Sequence, residues 1–300
     1  MKKVPLILAV TTFFVIGTLT LFNVLDTFVT EHASGSVNTN DYDFSFTQTS
    51  SDETYVNYTT GTRTIDNKDV TYYLVEVHLK QISDLRTQLA TNSSGEYGAN
   101  ITQSFSDIVE VAEDVSGAKV LAAISGDYAF WSGRAGYVIR NGVSYRSSTR
   151  TTDGEDFAIF KDGSILSYDE ADVDFSSLEE MNDGCYQNWC FGPTLLENGT
   201  IAVEEDEEID GRSKSDNQRT ALGYVGTNHF YFLTTEVSGG RNSKSSSSFS
   251  LYDLAEFLQE LGCTYAYNLD GGGSVSMYVD GEYPIEASRK LGDIIYVVNA

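Results

Sequence analysis

The sequence predicts an α+β fold, rich in strands in mixed or antiparallel sheets, with few helices. It forms a single globular domain over residues 56–300 behind an N-terminal anchor. Three observations carry this. β-Branched and aromatic residues fill the apolar runs, with 19 Tyr and 3 Pro among 300 residues. Asn-Gly and Asp-Gly pairs at 141–142 and 162–163 divide runs of strand-like residues. Helical periodicity is confined to two short stretches, near residues 107–115 and 251–261. There is no internal repeat, and the length suffices for a substantial core.

Lys2 and Lys3 precede an uncharged run from Val4 to Leu25, 22 residues long. About 20 apolar residues span a bilayer, and basic residues on the short side keep that end in the cytoplasm. Residues 1–30 are therefore expected to be a transmembrane signal anchor that places the rest of the chain outside the membrane. A cleaved signal peptide is the alternative, with Ala33-Ser34-Gly35 as the candidate cleavage region. Residues 31–55 are rich in Ser, Thr, Asn and Asp and read as a stalk.

Val70 to Leu79 reads as a strand and Asp107 to Val115 as a short helix. Val120 to Ile124 is a buried strand running into Ser125-Gly126-Asp127-Tyr128. Gly136 to Val143 and Phe157 to Leu166 each read as a hairpin. Ser250, with Asp253 three residues later, opens a helix whose buried stripe is Leu251, Leu254, Ala255, Leu258 and Leu261. Gly262 ends it. Ser245 to Ser248 forms a flexible loop before that helix.

Composition is globular, with 41% hydrophobic residues, and the net charge of −25 excludes nucleic acid and an anionic membrane surface as partners. A single local Arg can still receive an anion, because distant charges are screened. Glu204 to Glu208 is an acidic run, either a solvated loop or a weak calcium site. Cys185 and Cys190 are close enough in sequence to suggest a disulfide outside the cell, with free thiols as the alternative; Cys263 reads as a buried small hydrophobe. His32, His78 and His229 are scattered, so no zinc site is readable and no cofactor is expected.

The most informative stretch is Tyr267-Asn268-Leu269-Asp270-Gly271-Gly272-Gly273-Ser274, between two apolar segments. Three successive glycines lose much backbone entropy on ordering, which is justified where bare N–H groups approach an anion closely. A glycine-rich hairpin, its Asn and Asp bonding their own turn, is the simpler alternative.

Several segments together resemble the phosphodiester glycosidases, in their exported bacterial branch. They are Asn268 to Ser274, Arg219-Thr220-Ala221-Leu222-Gly223, Phe191-Gly192-Pro193, Gly126-Asp127-Tyr128 with Gly136 to Ile139, and Arg289 to Ile294. The resemblance covers residues 70–300. Two positions depart from the family pattern. Ser125 stands where Asn is usual, and Gly239-Gly240-Arg241 stands where Asp-Gly-Arg is usual. The missing carboxylate at 239 implies slow, altered or absent activity; Glu236 is a nearby substitute.

The resemblance implies cleavage of the bond between an anomeric carbon and a phosphate oxygen. Such a reaction passes through an oxocarbenium-like state that carboxylates stabilise. Asp270 is the candidate base, nucleophile or cation stabiliser, and Asp127 its partner. Arg219 is the candidate phosphate ligand, because its fork binds phosphate oxygens bidentately. Asn268, Gly271, Gly272, Gly273, Ser274, Thr220 and Arg241 are candidate substrate-binding residues. The expected partner is a phosphate-containing glycan or sugar phosphodiester in the cell envelope, and the rivals are a non-catalytic glycan-binding module and a calcium-binding structural protein.

Overall fold

The computed structural model describes residues 35–36, 52–99, 101–127, 136–148, 154–181, 184–205, 217–239 and 247–299. The expected anchor, most of the stalk, Tyr128, most of the acidic run, Ser245–Ser246 and Arg241 lie outside the described residues. No helix among the described residues is long and apolar enough to cross a membrane.

Three sheets share one interior, and their strand pairs are antiparallel. The large sheet runs, edge to edge, Thr200–Ile201, Thr194–Glu197, Tyr265–Leu269, Arg219–Gly226, His229–Thr235, Lys68–His78 and Tyr55–Ile65. A second sheet, here the C-terminal sheet, orders Glu282–Ile285, Met277–Val279, Val120–Ser125, Asp293–Val298 and Leu85–Leu89. The third orders Ile165–Asp169, Glu155–Phe160, Cys185–Trp189, Val138–Arg140 and Val143–Arg146.

Alternation along the strands builds the layers. Val75, Leu222, Phe232 and Leu269 of the large sheet face inward, against Ala122, Ile124, Ile295 and Val297 of the C-terminal sheet and Phe157, Ile159 and Trp189 of the third. Their neighbours face outward. Leu74, Ala221 and Leu233 are covered by helix α3, Leu251–Glu260, while Ala123, Ile294 and Tyr296 are covered by helix α1, Phe105–Ser116. A short helix α2, Phe175–Glu180, packs on the outer side of the third sheet.

Local chemistry sets the boundaries. Ser250 and Asp253 form the expected capping box: each accepts the other's backbone N–H, at 3.0 and 2.8 Å. Helix α1 is capped by Ser104 and begins at Phe105, two residues earlier than the apolar pattern suggests, and it stops at Gly117, which is left-handed at φ +63°. Asn141-Gly142 turns its hairpin with both residues at positive φ, as expected. The long strand Tyr55–Ile65 has no counterpart in the sequence reading. Its residues are largely polar and exposed, as an edge strand tolerates, and its register is set by the Asp66-Asn67 turn.

One expectation is corrected. Cys185, Cys190 and Cys263 are buried free thiols. Cys185 opens the strand Cys185–Trp189 and Cys190 follows its end. An extended chain holds them roughly 15 Å apart, more than twice the Cα separation a disulfide bridges. Burial pushes the Cys263 thiol up to about 12 and raises Cys185 as well, so both are poor nucleophiles. Thiol titration of the denatured chain without reductant is expected to count three reactive groups. A count of one would restore the disulfide.

Candidate active site

The glycine run lies where the sheets meet. The strand Tyr265–Leu269 of the large sheet ends at Asp270, whose N–H donates to the Gly126 carbonyl at 3.0 Å. Ser125 lies at the end of the Val120–Ser125 strand, in the C-terminal sheet. Its hydroxyl is 3.0 Å from the Thr220 hydroxyl and donates to the Asp270 carbonyl at 3.3 Å. These contacts lock Gly126 and Asp127 beside Asp270.

Each glycine answers a different demand. A Cβ at Gly271 would lie 2.8 Å from the Gln218 carbonyl oxygen. Gly272 is left-handed at φ +57°, with its N–H donating to the same carbonyl at 2.8 Å. A Cβ at Gly273 would meet the Arg289 Cδ and Ser288 Oγ at 3.2 Å. The Gly272 N–H is therefore committed to the fold, which corrects its expected role as a phosphate donor.

The loop wraps one acid and one cation. Arg289 Nη2 donates to both Asp270 carboxylate oxygens at 2.9 Å, and its Nε donates to Ser274 Oγ at 2.6 Å. Ser274 Oγ in turn donates to Asp270 Oδ2 at 2.6 Å. The Asp270 side chain is 12% exposed and that of Arg289 is 42% exposed, so the guanidinium sits at the mouth and the carboxylate beneath it. Burial raises the Asp270 pKa, Ser274 and Arg289 oppose that, and the charge of Asp127 adds to it.

Below lies a second, drier cluster. Arg140 Nη2 donates to Asp127 Oδ1 at 2.7 Å, and Arg140 Nε donates to Asp293 Oδ2 at 3.2 Å. All three side chains are 1% exposed. Arg140 Nη1 also donates to the carbonyls of Ile139 and Asn188, its guanidinium lies over the Trp189 ring, and the Cys190 N–H donates to Asp127 Oδ2 at 2.8 Å. Burial opposes the charge on Arg140, but Asp127 and Asp293 outweigh it and raise the pKa.

Two guanidiniums thus face three carboxyl groups, so one carboxyl is best kept protonated. Asp293 is that group. Burial above all, then the charge of Asp127, lifts its pKa well above the usual carboxylate range, against the pull of Arg140. Its Oδ1 has no hydrogen-bond partner among the described residues and faces Gly126, where a Cβ would come within 2.4 Å. A neutral oxygen tolerates that position better than a charged one.

The remaining candidates serve the frame. Asn268 Nδ2 donates to the Gly192 carbonyl at 2.7 Å and its N–H to the Pro193 carbonyl at 3.0 Å, which joins the glycine run to the Phe191-Gly192-Pro193 turn. Thr220 is fully buried against Ser125, so it positions the loop and is not exposed to a ligand. Arg219 shares the outer face of Ala221, and its Nε donates to the Phe249 carbonyl at 3.2 Å. Burial lowers its pKa to about 10. The cation bound to Asp270 is Arg289, not Arg219.

Gly239 is left-handed at φ +81° and lines a cleft of about 390 Å³ with Asp69, Thr71, Gln218, Glu236, Val237 and Ser238. Gln218, whose carbonyl anchors the glycine loop, joins this cleft to the site. Glu236 accepts the Tyr73 hydroxyl at 2.9 Å. Sequence reading did not single out Arg140, Asp293 or Arg289 as site residues. The signal for the last two was the Arg289-to-Asp293 segment of the family pattern.

A buried carboxylate on a glycine loop, under a half-exposed guanidinium at a sheet junction, is a geometry suited to receiving an anionic ligand. The family model for phosphodiester glycosidases (NAGPA) matches residues 118–298, and the chain belongs to that family. The fold is similar to the catalytic domain of zebrafish N-acetylglucosamine-1-phosphodiester alpha-N-acetylglucosaminidase, auto-inhibited by its pro-peptide. The TM-score is 0.63 at 19% identity, over 90% of this chain and 89% of that one. A hypothetical protein from Synechocystis has a TM-score of 0.54 at 13% identity, over 82% of this chain and 62% of that one. A SPbeta prophage-derived uncharacterized protein, YomE of Bacillus subtilis (strain 168), is 27% identical over 153 residues. That match spans 49% of this chain and 22% of YomE.

Asp293 gives a pH test. A carboxyl whose folded pKa exceeds its unfolded value takes up a proton on folding. Its penalty is absent below the unfolded pKa of about 3.9 and grows as pH rises toward the folded pKa. The Tm difference between Asp293→Asn and the parent is therefore expected to move in favour of the variant as pH rises from about 4. A pH-independent difference would place the retained proton elsewhere. Arg140→Ala is expected to destabilise the chain by about 3–5 kcal/mol in chemical denaturation, because it strands two buried carboxyls.

Proposed function

We propose that this chain is an extracytoplasmic glycosidase. It hydrolyses the bond between a sugar's anomeric carbon and a phosphate oxygen, leaving free sugar and a phosphomonoester. The observation that carries this reading is the pairing of Asp270, on the glycine loop, with Arg289, on the segment before the Asp293–Val298 strand: a carboxylate for the sugar and a half-exposed guanidinium for the phosphate.

In this reaction the Nη1 group of Arg289, on the guanidinium that binds Asp270 and Ser274 through Nη2 and Nε, takes a phosphate oxygen. The C–O bond breaks with its electron pair going to that phosphate. Asp270 faces the anomeric carbon and stabilises the positive charge that develops there. Water supplies the hydroxyl that completes the sugar, and its proton ends on the departing phosphate or the solvent. Asp127 acts through Arg140 and the Cys190 N–H to hold the floor of the site. Arg241, from the family pattern, is a further candidate phosphate donor, and Arg219 supports the loop from behind.

The substrate class we favour is a sugar-1-phosphodiester in an envelope polymer, such as a teichoic acid or an exopolysaccharide. Lys2, Lys3 and the apolar run Val4 to Leu25 support tethering at the cell membrane with the domain outside. The glycine at 239, where the family pattern has Asp, favours one alternative: a glycan-binding module without turnover.

Release of free N-acetylglucosamine from UDP-N-acetylglucosamine, and from other sugar-1-phosphodiesters, tests the reading. Asp270→Asn is expected to lower turnover by about 100-fold or more with unchanged circular dichroism. Arg289→Ala is expected to raise KM with little change in Tm, since that side chain is half-exposed. Binding of these compounds without turnover would support the module instead.

A further inference from the structure

Away from the Asp270 loop, the large sheet carries a cluster that the sequence gives no hint of. His78 and His229 are cross-strand partners on neighbouring strands. Glu76 lies two residues before His78, and so on the same face, opposite Tyr231. Inward-facing Val75 and Val77 fix that face as the outer one. We propose that Glu76, His78 and His229 form a binding site for a divalent transition-metal cation, with Zn²⁺ as the fitting ion.

The geometry is that of a metal site's ligand shell. Glu76 Oε1 is 3.0 Å from His229 Nε2 and 3.2 Å from His78 Nε2, and the three atoms lie within 4.8 Å of one another. Zinc bonds of about 2.0–2.1 Å in a tetrahedron require ligand atoms roughly 3.3 Å apart. Imidazole lone pairs lie in the ring plane, so an ion shared by all three requires one of the two stacked rings, now 22° from parallel, to turn toward it.

The ligands are also held in place. Asn57 Nδ2 donates to the other Glu76 oxygen at 3.2 Å, which orients the carboxylate. His78 is stacked between the Tyr55 ring, at 4.7 Å, and the His229 ring, at 4.2 Å. Without an ion, two imidazole N–H groups and the Tyr231 hydroxyl, at 3.2 Å, all converge on one carboxylate oxygen. An ion replaces two of these donors by lone pairs on the same nitrogens. All three ligand side chains are 26–30% exposed, so the ion has a path in and a water can fill the fourth position.

Two histidines with one carboxylate suit borderline divalent ions and not calcium, which prefers an all-oxygen shell. The ion would brace the ends of the Lys68–His78 and His229–Thr235 strands, at the opposite end of the sheet register from Arg219, which pairs with Thr235.

The test uses the full chain, stripped with a chelator and titrated with ZnCl₂ by calorimetry. Saturable binding of one Zn²⁺ per chain is expected, with a Tm rise of about 5 °C at 100 times Kd. His229→Ala and His78→Gln should each weaken binding by about tenfold or more. Release of sugar by His229→Ala should match the parent. Co²⁺ should give the absorption bands of a tetrahedral centre in the parent and lose them in both variants. Absence of one-to-one binding by the parent would overturn the proposal. So would undiminished binding by both folded histidine variants, which would move the ion to the thiols or the acidic run.

Discussion

The guanidinium of Arg140 is the interaction on which the site depends. It reaches into a dry seam from the third sheet, while of its carboxyl partners Asp293 opens a strand of the C-terminal sheet and Asp127 lies just past the end of another. A charge so placed is tolerated because two carboxyls and two backbone carbonyls surround it. The same Asp127 segment is tied to the end of the Asp270 strand by the Gly126 carbonyl and the Ser125 hydroxyl. One buried cation therefore fixes two sheets against each other at the point where the large sheet delivers its catalytic candidate. Three separate hydrophobic faces could slide; three strand ends joined by directional, desolvated bonds cannot.

How much of this was legible depends on how local each feature is. The capping box of helix α3, the Asn141-Gly142 turn and the glycine run are encoded within a few residues, and each stands as its residue types dictate. Arg140 ends an ordinary-looking hairpin strand, and nothing near it in sequence reveals the two carboxyls it will meet. Arg219 looked like the natural phosphate ligand because of its motif. Strand alternation instead carries its side chain to the helix-covered face with Ala221, and Arg289 takes the place beside Asp270. The cysteines err in the opposite sense: Cys185 and Cys190 are near in sequence, yet an extended strand keeps them apart. His78 and His229, remote in sequence, become neighbours through the register of a sheet.

The two departures from the family pattern have different physical weight. Ser125 replaces a longer amide, but its hydroxyl still reaches both Thr220 and the Asp270 carbonyl, so the link between the sheets survives. Gly239 removes a carboxylate outright, and its left-handed backbone is one that glycine adopts without strain. The cleft it lines retains acidic groups from Asp69 and Glu236. The junction of the sheets rests on Ser125, Thr220 and the Asp270 carbonyl, and the acidic groups of the cleft come from residues other than 239.

Net charge sharpens the argument about Arg289. A chain of −25 repels an anionic substrate at long range, so any phosphate must be met by a cation close at hand. Arg289 is already shared with Asp270 and Ser274. In the proposed reaction a phosphate oxygen on the free edge of the guanidinium competes with Asp270 for its charge. Asp270 then loses part of the compensation that offsets its burial, and its carboxylate becomes more basic when the sugar is bound. Substrate binding would in that way leave Asp270 the fuller negative charge that the developing cation needs. A second arginine in place of Ser274 would hold Asp270 too firmly for this, whereas a hydroxyl, which donates one bond and carries no charge, leaves the exchange open.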